Sequence, residues 1–384
     1  MSRLRMSPRK TALAAGLISA ALALASCSSA TSTKSFDGAP GADTKAVGFI
    51  TVGPKDDFGY NQAVFGGADA VRKAFPGLEV LTAENVPEDD TAATTMEQMI
   101  DKGAKLIFAT SYGHLDAAEK VAKEHPDVVV VQQGNTITGE IPKNSGTYFG
   151  TVYEPMYLAG IAAGAATKTG KLGYVYAFPI PQTIANIDAF ERGAQTVRPD
   201  VQTITVSTSS WCDPGKQQAA ADSLLSQGVD VMTQHQDCTA TVIQAAEKAG
   251  AMTVGYHADA SSLAPKGWLT GAVWDWGPLY TDIVKTVKDG KFVGSKYNAN
   301  FRVGYKTGTN PFVMAGYGPS VTDETKAKID AARAWLATPE GSPFAGPVND
   351  QNGEVKIPAG QVPDYAKNDE MDFFVQGVVG TLSK

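Results

Sequence analysis

From Lys45 onward, short β-branched and aliphatic runs alternate with longer stretches whose apolar positions recur every three or four residues. Val47–Val52, Glu79–Thr82, Lys105–Thr110, Val128–Gln132 and Thr147–Thr151 read as strands. Between them Asn61–Ala74, Thr91–Lys102 and Leu115–Glu124 have helical spacing, with Pro76-Gly77 and Gly103 as stops. Short apolar runs separated by helices of that length predict βαβ units and a parallel sheet. The rhythm restarts after Lys168-Thr169-Gly170. Strands are expected at Lys171–Tyr176, Val201–Ser207, Val229–Thr233, Ala251–Tyr256 and Leu269–Val273, with helices at Gln182–Val197, Pro214–Gln227 and Thr239–Ala249. Beyond Trp276 the pattern loosens into helices at Tyr280–Lys288 and Thr322–Leu336 and a hairpin over Val348–Ile357, turning at Asn352-Gly353. The chain is α/β, in two consecutive halves.

The first residues follow a different plan. Arg3, Arg5, Arg9 and Lys10 precede an apolar run from Thr11 to Ala25, which closes on Leu24-Ala25-Ser26-Cys27. A spanning helix needs roughly 20 apolar residues, so this run is too short and reads as a secretory leader. Leu-Ala-Ser-Cys resembles the bacterial lipobox, which implies cleavage before Cys27, acylation of its thiol and anchoring at the outer face of the cytoplasmic membrane. Ser28 to Thr44 is rich in Ser, Thr, Ala and Gly and reads as a flexible tether. Removing the four leader cations moves the formal charge from -7 to -11. That acidity argues against nucleic acid as a partner, because polyphosphate affinity comes from clustered Lys and Arg. About 340 residues remain, more than one hydrophobic core usually serves.

Cys212 and Cys238 are the other cysteines, each just after an apolar strand-like run. Outside the cytoplasm such thiols tend to be oxidised, so a disulfide joining two loops is the preferred reading, with two unpaired buried thiols as the alternative.

In open parallel sheets, ligands bind beyond the carboxyl ends of the strands. The first half places Asp57, Tyr60, Asn61 and Tyr112 there. The second half places Phe178, Trp211, Asp213, His235, Asp237, His257 and Asp259, and Trp274 and Trp276 follow at the junction. Aromatic rings mixed with carboxylates and amides suit a flat ligand with a polar edge. Each residue also has a structural reading: Asp57 and Asp213 as helix caps, the alternating Trp274 and Trp276 as core. Enzyme signals are poor, with no Gly-x-Ser-x-Gly elbow, no HExxH pair and no phosphate-binding glycine fingerprint. His235-x-Asp237 and His257-x-Asp259 raise a metal site as a lesser alternative. The expectation is a binding protein with no cofactor and no metal.

Asp57-Phe58-Gly59-Tyr60-Asn61-Gln62 resembles a signature of the Bmp/PnrA-like family of basic membrane lipoproteins. The resemblance continues through Tyr153-Glu154-Pro155-Met156, Trp211-Cys212-Asp213-Pro214, Gln234-His235-Gln236-Asp237, Gly255-Tyr256-His257-Ala258-Asp259 and Val273-Trp274-Asp275-Trp276. It implies a type I periplasmic-binding-protein fold: two doubly wound parallel-sheet lobes joined by a hinge. The expected division is a leader (1–26), a tether (27–44), lobe one (45–152 with about 277–302) and lobe two (153–276 with about 303–384). It further implies a substrate-binding lipoprotein of an ABC importer, with its permease as partner and a purine base or nucleoside as ligand. Asp57, Asn61 and Asp259 would then bond the ligand, with Tyr60 or Tyr112 against its face. Tryptophan at 274 stands where nucleoside binders use a basic residue for the ribose, which tilts the expectation toward a free base. The rivals are a sugar or signal-molecule receptor of the same fold and a metal-dependent hydrolase.

Overall fold

The computed structural model describes residues 36–382, so the expected leader and the expected lipidation at Cys27 lie outside the described residues. The first half runs β1 (Ala46–Ile50), α1 (Tyr60–Ala74), β2 (Glu79–Ala83), α2 (Asp90–Asp101), β3 (Ala104–Ala109), α3 (Leu115–Glu124), β4 (Val129–Gln133) and β5 (Ser145–Gly150). Next come α4 (Tyr153–Ala166), β6 (Lys171–Tyr176), α5 (Pro181–Gln195), β7 (Gln202–Ser207), α6 (Pro214–Ser226), β8 (Val231–His235), α7 (Ala240–Ala249), β9 (Met252–His257) and β10 (Trp268–Trp274). The remainder is α8 (Gly277–Lys288), β11 (Asn300–Val303), β12 (Phe312–Met314), α9 (Asp323–Leu336), β13 (Val348–Asn349), β14 (Val355–Ile357), α10 (Tyr365–Asn368) and β15 (Val378–Val379). No helix among the described residues is long and apolar enough to cross a membrane.

Two sheets result. One has the order β11-β5-β4-β3-β1-β2 and is parallel throughout. The other has the order β12-β10-β9-β8-β6-β7-β15, parallel except for β12, which runs against β10. β1, β4 and β5 are buried along their whole length, as strands of a parallel sheet covered on both faces are. The backbone passes between the sheets three times: from β5 into α4, from β10 into α8, and from β11 to β12. Buried Glu154 knots two of these passages together. Its carboxylate accepts from Tyr305 N–H (2.8 Å), Asn310 Nδ2 (3.2 Å), Tyr365 Oη (3.3 Å) and Thr151 Oγ1.

Two expectations need correction. The tether was expected to run through Thr44, but Pro40, Gly41 and Thr44 are buried, and Gly41 N–H donates to Asp127 O at 2.9 Å. The chain therefore docks from Pro40 onward, because the bonds to Gly41 and from Lys105 N–H to Thr44 Oγ1 (3.1 Å) tie it beside β3. The helix α4 was not foreseen at all. It is buried on nearly every side from Tyr153 to Gly164, so it carries no polar stripe for periodicity to reveal. It lies close against α5, and a Cβ at Gly160 would sit 2.1 Å from Phe190 O, one at Gly193 1.9 Å from Tyr157 O.

On α5, buried Glu191 accepts from Thr203 Oγ1 (2.7 Å) and Gln195 Nε2 (2.8 Å). Burial pushes its carboxyl from 4.5 up to about 7. The protonated form is thus favoured by folding: its contribution is complete below about pH 4.5 and is lost as pH rises through 7. Glu191→Gln should remove this slope, worth roughly 3 kcal/mol at most. Melting temperatures of parent and variant measured from pH 5 to 8 test it; parallel curves would contradict it.

Candidate functional site

The carboxyl ends of the two sheets face each other across a cavity. From the first sheet come Tyr60 at the start of α1, Tyr112 after β3, Gln133 and Gly134 closing β4, and Phe149 of β5. From the second come Gln182 at the start of α5, Trp211 after β7, His235 and Asp237 at the end of β8, and His257 closing β9. The enclosed space is about 30 Å3. Small-molecule pockets run to roughly 300 Å3 or more, so the two sides must part, or the rings turn, to admit a solute.

The two sides touch directly. Tyr60 N–H donates to Asp237 O (3.1 Å) and Thr239 N–H to Asp57 O (3.2 Å). Thr239 Oγ1 donates to Phe58 O at 2.6 Å, and Gln182 Nε2 donates to Gly134 O. Gly59 fits this seam because it lacks a side chain: a Cβ there would lie 1.7 Å from Asp237 O.

Asp57 builds that loop. Its Oδ1 accepts from Gly59 N–H (2.8 Å) and Gln62 N–H (3.0 Å), and its Oδ2 from Asn61 N–H (3.0 Å) and Asn61 Nδ2 (2.7 Å). Asn61 Oδ1 in turn accepts from Gly53 N–H at 3.1 Å. Both side chains were expected to bond the ligand; their polar atoms are instead engaged in shaping the loop. Phe58 follows in the left-handed region, φ 55°, with its ring exposed.

Aromatic rings wall the cavity. Tyr60 packs edge-on to His257 with centroids 5.0 Å apart, and its hydroxyl is 2.5 Å from Gln133 Nε2. Gln133 Oε1 accepts from Tyr148 Oη (3.0 Å) and Tyr280 Oη (2.5 Å), which fixes the amide. Trp211 stands edge-on to Phe178 at 5.1 Å, so Phe178 supports the wall from behind it. Cys212 and Cys238 are bridged, and Asp237 N–H donates to Trp211 O at 2.8 Å. The loop bearing Trp211 and the loop bearing Asp237 are thereby one unit.

Asp237 contrasts with Asp57, whose carboxylate is fully engaged by neighbouring N–H groups. Asp237 is 6% exposed, yet its carboxylate makes no hydrogen bond or ion pair among the described residues. Burial raises its pKa well above the ordinary value, and the charges of Asp57 and Glu88 add to this. Burial also holds His235 down to about 3 and His257 well below the usual histidine range, so both rings are neutral at pH 7.

Several expected site residues lie elsewhere. Asp213 caps α6, accepting from Lys216 N–H at 3.0 Å. Asp259 is exposed and accepts from Ser261 N–H at 2.9 Å, so its carboxylate shapes the turn after β9 instead of facing the cavity. Of the pairs His235/Asp237 and His257/Asp259, only Asp259 lies apart; the other three side chains line the cavity, with the two imidazole centroids 5.6 Å from each other. Trp274 and Trp276 are buried and stacked on each other, centroids 4.2 Å apart, with Tyr280 beneath Trp276 at 5.5 Å. They support the cavity from the junction between the sheets and do not line it. Gln133, Gly134, Phe149, Ile180 and Gln182 line it without having been singled out. A signal existed for one of them: Gln132-Gln133 ends an all-valine run, and an amide at the carboxyl end of such a strand is placed toward the ligand end of the sheet.

The model of the ABC transporter substrate-binding protein PnrA-like family, Bmp, matches residues 44–309. The chain belongs to the Bmp family. Among relatives of this Bmp protein, a purine-binding protein of Brucella abortus (strain 2308) is 35% identical over 343 residues, 89% of this chain and 95% of that one. A Haloferax volcanii protein named for glucose binding in an ABC transporter is 31% identical over 340 residues, 88% of this chain and 82% of that one. Solved ABC transporter solute-binding proteins from Aeropyrum pernix K1 and Conexibacter woesei share the fold, with TM-scores of 0.65 and 0.63 at 18% and 23% identity. They cover 84% and 76% of this chain, and 95% and 96% of their own. The Bmp protein is thus an ABC transporter substrate-binding protein with the type I periplasmic-binding fold.

Proposed function

We propose that this protein captures a purine base between its two lobes, residues 45–152 with 277–302 and 153–276 with 303–384, for delivery to an ABC permease. In this reading it is held to the membrane by acyl chains on Cys27. The observation that carries the reading is Asp237, whose carboxylate has no partner among the described residues and which lines the cavity together with the rings of Tyr60 and Trp211. A planar heterocycle slipped between those rings would donate N–H to Asp237 and stack on both walls. The Brucella relative's name agrees with this. Closure follows because the solute touches both lobes only when they meet, so binding energy favours the closed arrangement.

The Haloferax relative's name supports a second reading, in which the solute is a sugar. Calorimetry on the chain from Ser28, with adenine, hypoxanthine, guanosine and glucose, separates the two. Purine binding is expected, and Trp211→Ala should weaken it by about 1–3 kcal/mol through lost stacking. Binding of glucose with no response to any purine would reverse the assignment.

A further inference from the structure

We propose that His257 presents its Nε2–H as a fixed donor to an acceptor atom of the bound solute, and that Trp274 is the positioning residue that sets this polarity. An indole nitrogen donates and never accepts. Trp274 Nε1 lies 2.9 Å from His257 Nδ1, so Nδ1 holds the lone pair. A neutral imidazole then carries its proton on Nε2. Burial and the neighbouring His235 hold the ring neutral at pH 7.

Nε2 itself is buried and has no hydrogen-bond partner among the described residues, in a side chain that lines the cavity and is 2% exposed. An unpaired buried donor is costly, and a solute atom is what would satisfy it. The backbone points the same way. His257 has φ 68°, a left-handed conformation rare for a residue with a side chain, at the last position of β9. Tyr256 packs on the imidazole at 3.9 Å and Tyr60 at 5.0 Å, so the ring is held in this orientation.

The assignment rests on the cleft being the solute site, and it sharpens what the solute must carry. One acceptor faces His257, and one donor faces Asp237. A purine ring nitrogen beside an N–H group supplies both. Trp274, expected to meet the ligand, acts through the histidine instead.

The test uses the full mature chain with nitrogen-15-labelled histidine. His257 should show the Nε2–H pattern from about pH 6 to 8, and Trp274→Phe should shift it toward a mixture of tautomers. In calorimetry, His257→Leu should weaken adenine binding roughly ten- to hundredfold. His257→Gln, whose amide nitrogen reaches the place of Nε2, should restore most of it. Among adenine analogues with one ring nitrogen replaced by C–H, a single one should lose as much with the parent chain and nothing further with His257→Leu. An Nδ1–H pattern in the parent chain overturns the proposal, as does adenine affinity in His257→Leu within about threefold of the parent. If neither adenine nor hypoxanthine binds, the purine reading falls, while the nitrogen-15 pattern still decides the tautomer.

Discussion

Replacing Gly59 by alanine should abolish solute capture while leaving the chain folded. The new methyl group would lie 1.7 Å from Asp237 O and 2.9 Å from the carbonyl carbon behind it, both backbone atoms that cannot swing aside. The clash exists only when the two sides meet, since Gly59 belongs to the loop before α1 and Asp237 to the loop after β8. Overpacking costs of order 1–3 kcal/mol in a core, and here the seam bonds from Tyr60 N–H and Thr239 are lost with it. Affinity for the solute that the parent binds should fall on the order of a hundredfold or more. The thermal midpoint of the free chain should move little. Small-angle scattering completes the test: solute should compact the parent and leave Gly59→Ala extended. A variant that binds and compacts like the parent would show that the seam is not needed for closure.

Loss of the Cys212–Cys238 bridge is expected to give the largest change in stability. The two residues are 26 apart in sequence, and a loop of that size costs about 3.5 kcal/mol of unfolded-state entropy on the chain-entropy estimate. The bridge also holds Trp211 against Asp237, so the double variant Cys212→Ser/Cys238→Ser should bind solute more weakly as well. Urea unfolding with and without reductant measures the first effect and calorimetry the second. Identical midpoints for the double variant and the oxidised parent would remove the bridge from the list of stabilising features.

Much of the architecture was legible in the chain because a parallel sheet covered on both faces needs unbroken apolar strands, and those stand out between amphipathic helices. β1, β3, β4, β6 and β9 fall close to the expected runs for that reason. β8 begins two residues later than Val229 and thereby carries His235 to the strand's end. Hidden elements share a cause: α4 lacks a polar face, and β11, β12 and β15 have four, three and two residues, too few for a period to register.

Strand-end position found part of the site and took in neighbours that do not belong to it. Position at strand ends selected Tyr60, Tyr112, Trp211, His235 and Asp237, all of which line the cavity. The same rule also took in Asp57, Asn61, Asp213 and Asp259, whose side chains bond nearby backbone. Short polar side chains at helix starts have local partners within reach, and a one-dimensional reading cannot tell that use from ligand binding. Asp237 differs because its backbone C=O accepts from Tyr60 N–H across the seam and its N–H donates to Trp211 O, while its carboxylate is left over.

The triple passage of the backbone between the sheets, knotted at Glu154, has a consequence for dissection of the molecule. Neither half exists as one contiguous fragment, so no simple truncation isolates it. A protease that severs one linker leaves two covalent connections intact, and the nicked product should travel as a single particle until it is denatured.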